Sequence, residues 1–513
     1  MKQIETNRGK INSYSSFAAT EHHGLIAALV LAGAALFGVM AWWILSESQQ
    51  SSANELYLLP WVALTAAVIV APSIILLYRK KFDLFHPLVY AAWSYFFPAF
   101  VIGGLILAFG ISQPVFMHLI ENPEYNLPLT FVYIALGFGG LSIGYALPWG
   151  RRVGEILSAK IFPRWDWTPS KIVLPSMVLL GFGAFFFLSA WVAGTVGYQR
   201  IELSDNLGAA NYFFSILTLE ASLLLWLFIF KAKNITAFHV VSLCSLMFIV
   251  LLRVVLAGSK SSLLYIIILI VMAFVYSGRQ LKFKQVAAFA VIGFLALMIG
   301  IVYGNTFRQL RGSEDKTSLN LYVSQAEQTL EIITTQDPTN TILAGFSGLA
   351  ERIEIASSFA VVVANYEKLA PYEAAYGLEN NIWTYTWTAF IPRFLWVDKP
   401  IISDARSYSE LYFNYGENSF AMTPMGDLLR NFGPLGIPLG MLLLGFVMRV
   451  VYAALIENQT ATIGRVAMYY MLLTSFTYEG FYGTILPSMI RVGFVAAISL
   501  LFVNLLTRKQ KRV

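Results

Sequence analysis

Charged residues and cysteine are both scarce in this chain. Asp, Glu, Lys and Arg make up 12% of the sequence, whereas soluble domains average about 25%, and 57% of the residues are hydrophobic. The one cysteine, Cys244, lies in an apolar run, so no intrachain disulfide can form. This composition excludes a soluble globular protein and predicts an integral membrane protein whose loops are held together by packing.

Histidine is also rare, and its positions exclude one class of active site. All five histidines lie at or before His239, so residues 305–434, the longest polar stretch, contain none. That stretch therefore offers no histidine base and no histidine-based metal site. Its carboxylates lack the spacing of a metal cage, and AGSKSS (257–262) lacks the full pattern of a nucleotide-binding loop. The sequence predicts metal-independent chemistry without a cofactor.

Hydrophobic stretches long enough to cross a bilayer, about 20 residues each, recur along almost the whole chain. The sequence predicts an all-α polytopic membrane protein with about 12 transmembrane helices. The predicted spans are 24–46, 58–78, 86–110, 128–148, 172–192, 211–231, 238–256, 261–277, 285–304, 435–455, 462–480 and 486–506.

Lysine and arginine gather in alternate connections between these spans. With a cytoplasmic N-terminus, the short outer loops 47–57 and 111–127 hold none, and 193–210 holds only Arg200. Short loops obey the positive-inside rule, so both termini are predicted to be cytoplasmic. The net charge of +6 is then a matter of topology, and no nucleic-acid partner is predicted. The predicted parts are an N-tail (1–23), nine spans (24–304), a large outer loop (305–434), three spans (435–506) and a basic C-tail (507–513).

The outer loop contains two stretches with a distinct pattern. In residues 341–368, apolar side chains recur at helical spacing around Glu351, Arg352 and Glu354, which predicts an amphipathic helix on or dipping into the outer face. Residues 380–400 carry three tryptophans and two prolines, and the prolines, Pro392 and Pro400, stiffen the chain between them. These tryptophans fit either an interfacial aromatic belt or a surface that presents side chains to a ligand.

Four cations on different helices are predicted to lie at one depth, just inside the outer surface: Arg253, Lys260, Arg308 and Arg491. Snorkelling to headgroups is one explanation. Binding of an anion is the other, because an ionisable residue in a span is expensive and usually functional. Arginine forks match phosphate oxygens, so a lipid-borne pyrophosphate fits both charge and depth. Two acidic residues are candidate internal partners for these cations, Glu220 and Glu479.

Three segments in this order resemble a known family. They are LAGSKSSLL (256–264), IPRFLWVDKP (391–400) and TPMGDLLRNFGPLGIPLG (423–440). Together with the many spans and one large late outer loop, they resemble the bacterial Wzy-type polymerases of oligosaccharide repeat units, which act in O-antigen and related polysaccharide assembly. This chain has Lys260 where an arginine is expected, which keeps the charge but loses the bidentate fork.

The resemblance implies a glycosyltransferase at the periplasmic face of the bacterial inner membrane. It would pass a growing glycan from undecaprenyl pyrophosphate to a newly flipped lipid-linked repeat unit. The lipid-linked oligosaccharide and the bilayer are the implied partners, with a chain-length regulator and a flippase beside them. A flippase, an O-antigen ligase or a non-catalytic subunit of the export machinery are the alternatives, although the loop lacks the histidine that ligases are understood to use.

Two roles follow for the residues if this reaction is the right one. The four cations would stabilise charge on the pyrophosphate leaving group, and a loop carboxylate would accept the proton of the acceptor hydroxyl. Asp427 is the first choice of base, followed by Glu351 and Asp398. The residues expected to orient pyrophosphate or glycan are Arg393, Arg352, Lys399 and Trp396.

Overall fold

The structure of the protein is a computed structural model. It describes residues 55–111, 114, 116–163, 165–192, 211, 214–232, 236–257, 260–278, 300, 302–304, 306–307, 310, 319–335, 348–388, 391, 396, 404–416, 420–457 and 461–509. Within these residues the regular structure is entirely helical, as the sequence predicts.

The helices are named in chain order. The first eight are α1 (Leu59–Tyr78), α2 (Pro87–Ala108), α3 (Pro123–Ala146), α4 (Pro148–Lys160), α5 (Pro169–Val192), α6 (Leu217–Lys231), α7 (Ala237–Ala257) and α8 (Lys260–Tyr276). The others are α9 (Leu319–Thr335), α10 (Ala356–Leu369), α11 (Asn381–Thr388), α12 (Ala405–Phe413), α13 (Pro424–Phe432), α14 (Gly436–Tyr452), α15 (Ile463–Ser475) and α16 (Tyr482–Lys509). The middle of α2, Ala92–Ile102, is π-helical, and a π-helical turn, Ala453–Glu457, extends α14.

Six helices in the described part of the chain are long and apolar enough to cross a membrane: α1, α2, α3, α5, α14 and α16. They coincide with six of the predicted spans, so the protein is a multi-pass membrane protein. The predicted spans at 211–231, 238–256, 261–277 and 462–480 correspond to α6, α7, α8 and α15. The span at 24–46 and most of the span at 285–304 lie outside the described residues.

The chain folds into two compact units. Unit 1 comprises Met1–Ile161, Ala350–Thr460 and Phe476–Ser488. Unit 2 comprises Phe162–Leu349, Ala461–Ser475 and Met489–Val513. The second half of the predicted outer loop therefore folds together with α1–α4 and α14 in unit 1.

Unit 1 is built on very close packing between α3 and α14. A Cβ added to Gly144 would lie 1.9 Å from the carbonyl oxygen of Leu442, and one added to Gly445 would lie 2.0 Å from that of Leu141. Only glycine permits this approach, which is the usual role of small residues where membrane helices cross. Hydrophobic burial discriminates poorly between helices surrounded by lipid, so shape complementarity of this kind fixes which helices pair.

An aromatic cluster fills the middle of unit 1. The rings of Phe96 and Phe138 lie 4.9 Å apart, and Tyr478 packs on Phe96 at 5.2 Å and stacks on Tyr95 at 5.8 Å. Edge-to-face and offset contacts of this kind are favourable beyond their buried area. They attach the segment between α15 and α16, which carries Tyr478, to the π-helical part of α2.

Several polar side chains are buried in unit 2, and two of the charged ones form hydrogen bonds within it. The carboxylate of Glu220 on α6 accepts a 2.5 Å hydrogen bond from the hydroxyl of Ser499 on α16. Arg465 is fully buried and donates to the carbonyl oxygens of Phe162 and Pro163. A Cβ on Gly183 would lie 2.5 Å from the backbone nitrogen of Thr218, so α5 and α6 also meet at a glycine. Glu220, a predicted partner for a cation, thus bonds to a serine.

The stretch 341–368 is not the single surface helix that its pattern predicts. The helix that contains Glu351 and Arg352 stops before Glu354, and α10 begins at Ala356. The Glu354 carboxylate accepts from the backbone N–H of Ser357 at 2.8 Å and so caps the new helix. The first eight residues of α10 are all buried. The helix is therefore part of the interior of unit 1 and does not lie on its surface.

Replacing Gly144 with alanine should lower the unfolding temperature of the detergent-solubilised protein, because the added Cβ cannot fit against Leu442. Overpacking typically costs about 1–3 kcal/mol. The matched control is Gly139→Ala on the same helix, where a Cβ meets nothing within 4 Å. This control should be neutral or slightly stabilising, because alanine is the better helix former. Equal effects of both substitutions would contradict close α3–α14 packing.

Candidate functional site

The segment TPMGDLLRNFG folds into α13 by local signals. The Thr423 hydroxyl accepts from the N–H of Gly426 at 2.9 Å and Pro424 occupies the first helical position. Gly433, with φ +67°, ends the helix. The spacing i, i+3, i+4 then brings three polar side chains to one side of the helix. These are Asp427, Arg430 and Asn431.

Asp427 is completely buried and its carboxylate is hydrogen-bonded by four groups. Oδ1 accepts from Arg430 at 2.7 Å, from Asn381 at 3.1 Å and from Asn431 at 3.3 Å. Oδ2 accepts from the backbone N–H of Gly483 at 3.1 Å. A buried carboxylate is tolerated when its lone pairs are satisfied in this way. Asp427 therefore joins α13 to the starts of α11 and α16.

Arg430 connects Asp427 to a second buried carboxylate. Besides its 2.7 Å contact with Asp427, it lies 3.0 Å from Glu373 and donates to the carbonyl oxygen of Leu378 at 3.0 Å. Its guanidinium also lies 5.6 Å from the ring centre of Phe481. All three charged side chains are almost completely excluded from solvent. Together with the two asparagines they form the buried ionic cluster, defined as Glu373, Asn381, Asp427, Arg430 and Asn431.

Glu373 is the second buried carboxylate of the buried ionic cluster. It accepts a 2.8 Å hydrogen bond from the Tyr412 hydroxyl. Burial raises the pKa of Glu373, and the charge of Arg430 opposes that rise. One arginine faces two carboxylates here, so a proton on Glu373 would leave the cluster electrically neutral. The bond from Tyr412 brings α12 into the same network.

The candidate bases differ sharply in their access to a substrate. A general base must come within hydrogen-bond reach of the proton that it removes. Asp427 is buried and its oxygens are occupied, whereas Glu351 is exposed. Asp398 lies outside the described residues. In this arrangement Asp427 positions its neighbours, and Glu351 is the candidate base that a ligand can reach.

Arg352, beside Glu351, forms an exposed ion pair. Its guanidinium lies 2.9 Å from Glu479, and both side chains are well exposed. Glu479 was a predicted partner for a cation, and the cation that it meets is a loop arginine. Exposed pairs of this type contribute little to stability. Arg352 and Glu479 are therefore available to bind or orient a ligand.

The predicted layer of cations is only partly described. Arg253 on α7 is half-buried, donates to the Ser215 carbonyl oxygen at 2.6 Å and lies 5.1 Å from the ring centre of Phe187. Arg491 lies on α16 and is half-buried, and Lys260 begins α8 with a side chain outside the described part. Arg308, Arg393 and Lys399 also lie outside it. The shared depth of the four cations stays a prediction.

Three tryptophans of the late loop, two exposed and one half-buried, make up what we call the tryptophan face: Trp383, Trp387 and Trp396. Trp383 and Trp387 are 64% and 56% exposed and lie one turn apart on α11. Trp396 stacks on Trp387 with ring centres 5.8 Å apart. The opposite side of α11 buries Asn381 and Thr388. The buried ionic cluster therefore holds the helix that carries the tryptophan face.

The sequence offered signals for only part of this site. The spacing of Asp427, Arg430 and Asn431 marks one side of a short capped helix, and it could have indicated a buried ion pair. No local pattern marks Glu373 or Tyr412 as partners, because Glu373 lies 57 residues before Arg430 and Tyr412 lies 39 residues after Glu373, so these residues meet only in the fold.

Asp427→Ala should destabilise the protein strongly, because Arg430 would keep only one carboxylate and Asn381 and the Gly483 N–H would lose an acceptor. Breaking a buried ion pair from one side costs about 3–5 kcal/mol. The control is Glu379→Ala, which removes an exposed loop carboxyl and should change the unfolding temperature little. Thermal unfolding of both purified variants provides the measurement, and a stable Asp427→Ala protein would refute the structural role.

The stability of the protein should fall as the pH rises from about 4.5 to about 7, in part through Glu354. Burial raises the pKa of Glu354 from 4.5 to about 7, against opposing hydrogen bonds from Ser357. Between these pH values the folded protein therefore holds a proton that the unfolded chain releases. The stability that this proton provides is fully present below 4.5, the pKa in the unfolded chain, and is lost as the pH rises through about 7, the pKa in the folded protein. Glu354→Gln should flatten this dependence in unfolding scans across the window. An unchanged slope in the variant would exclude Glu354 as its source.

Comparison with known proteins assigns the chain to a family. Residues 184–506 match the family described as a domain of unknown function, DUF8712, and this range includes the whole buried ionic cluster and the tryptophan face. No curated protein and no solved structure matches the chain. Since the match covers more than half of the sequence, the protein belongs to the DUF8712 family.

Proposed function

We propose that this protein polymerises lipid-linked oligosaccharide repeat units. In the proposed reaction the bond between the anomeric carbon of a growing glycan and undecaprenyl pyrophosphate breaks. A new glycosidic bond forms to a hydroxyl oxygen of the next lipid-linked repeat unit, and a base takes the hydroxyl proton. The proposal includes twelve spans, cytoplasmic termini and an active face on the periplasmic side of a bacterial inner membrane.

The observation that carries the proposal is the tryptophan face. Indole rings suit the apolar faces of sugar rings, and they also serve as interfacial anchors. An anchor needs no fixed orientation, but α11 is held from behind by the bond between Asn381 and a buried, ion-paired carboxylate, Asp427. Such a preorganised aromatic surface lowers the ordering cost of binding a flexible glycan.

The exposed charges next to α10 support the chemical step. Glu351 is a solvent-accessible carboxylate of the kind that can accept a proton from a hydroxyl, and Arg352 is held beside it by Glu479. Arg253, Lys260, Arg308 and Arg491 would supply positive charge for the departing pyrophosphate. Glu351 is thus our first choice of base, and Asp427 is a positioning residue behind the glycan surface.

Deleting the gene should convert a ladder of surface polysaccharide on a gel into single repeat units, because chains would no longer grow. Complementation with Glu351→Gln should lower polymer yield by about 10²–10⁴-fold, the usual contribution of a general base. Trp387→Ala should lower it by about tenfold, as expected for the loss of one stacking contact.

Two variants serve as controls, and all variants are compared at equal protein levels. Glu379→Gln removes another exposed loop carboxyl, and Tyr372→Ala removes an exposed aromatic outside the tryptophan face. Both should restore the ladder. Loss of all repeat-bearing material on deletion would indicate a flippase or ligase instead, and an unchanged ladder would refute the proposal.

A further inference from the structure

Helix α4 is a short helix at the end of a candidate span. It begins at Pro148, two residues after α3 ends at Ala146. One side buries Gly150, Gly154 and Ser158, and a Cβ on Gly154 would lie 2.6 Å from the Cβ of Ala453. These small residues allow α4 to pack closely against the end of α14. The helix is therefore fixed within a few residues of the point where α3 would leave the bilayer.

A second side of α4 is apolar and uncovered by the described residues. Trp149 is 66% exposed and Ile156 is 55% exposed, and Val153 lies between them at helical spacing. Residues four and seven apart share one flank of a helix. Exposure of three large apolar side chains to water is unfavourable, by about 25 cal/mol per Å². The flank calls for an apolar environment.

The charges of α4 border this apolar flank. Arg151 forms ion pairs with Glu155 at 3.1 Å and with Glu457 at 3.9 Å. Arg152 and Lys160 lie one turn before and one turn after Ile156, and both are exposed. Within the described residues neither forms an ion pair. Long basic side chains in such positions extend from an apolar surface toward anionic headgroups.

We propose that α4 lies in the plane of the membrane surface and binds anionic phospholipid. Trp149, Val153 and Ile156 enter the boundary between headgroups and acyl chains. Arg152 and Lys160 contact lipid phosphates. The bilayer is the occupant because the end of α3 fixes α4 at its surface, and because a tryptophan, an aliphatic flank and bordering cations match the chemistry of that depth.

Spin labels test the depth of the apolar flank. In a Cys244→Ser background of the full-length protein, Ile156→Cys and the matched control Arg151→Cys carry the label into phosphatidylcholine–phosphatidylglycerol vesicles. Arg151 is exposed, and its position five residues before Ile156 places it on the side of the helix away from the apolar flank. Label 156 should be more accessible to oxygen than to a water-soluble nickel complex, and label 151 the reverse. Nickel access at both sites would overturn the proposal, and so would spin–spin broadening at 156, which would indicate a second copy.

Lipid composition tests the charges. The unfolding temperature should be higher in vesicles with 30% phosphatidylglycerol than in pure phosphatidylcholine, and Arg152→Gln/Lys160→Gln should lose most of this difference. The control Arg406→Gln removes an exposed arginine of unit 1 far along the chain and should keep the difference. Equal shifts in the double variant and the parent protein would refute anionic-lipid binding by α4.

Discussion

A buried arginine must have every available charge partner in place, and Arg430 imposes this requirement on unit 1. It bonds to Glu373, Asp427 and the carbonyl oxygen of Leu378 at 3.0, 2.7 and 3.0 Å. Because removing a charge from water costs several kcal/mol, the fold is acceptable only when these groups converge. The late loop contains no disulfide, and this convergence orders its short helices. Asp427 extends the same constraint to the N-terminus of α16 through Gly483.

This constraint separates the residues that hold the loop from those that can meet a substrate. The oxygens of the buried carboxylates, Glu373 and Asp427, are already bonded to Arg430 and to their other donors. The exposed Trp387 lies on α11, and the bond of Asn381 to Asp427 holds that helix in place. This division suits the proposed function, since an exposed side chain is then placed by groups that cannot move without exposing charge.

The sequence predicts the parts of this structure that depend on local pattern. Spans such as 58–78 and 128–148 are recognisable because a bilayer selects for length and hydropathy alone. The caps of α13 at Thr423 and Gly433 are likewise local. The ion pair between Arg430 and Glu373 is not predictable in this way, because it joins residues 57 apart. The helix break at Glu354 is not predictable for a related reason. An acidic residue at helical spacing is typical of a solvated helix face, and the pattern does not report that Glu354 is buried and caps the next helix.

Helix α14 is a candidate span with polar groups of unit 1 near both of its ends. With its π-helical turn it spans 22 residues, Gly436–Glu457, or about 33 Å at 1.5 Å per residue, close to the thickness of a hydrocarbon core. The buried ionic cluster adjoins its start through α13, while Arg449 near its end pairs with Glu457 at 2.7 Å beside α4. The cluster and α4 therefore lie near opposite ends of this candidate span. The positive-inside rule favours a cytoplasmic position for the basic residues of α4, and the proposed function requires the tryptophan face on the other side.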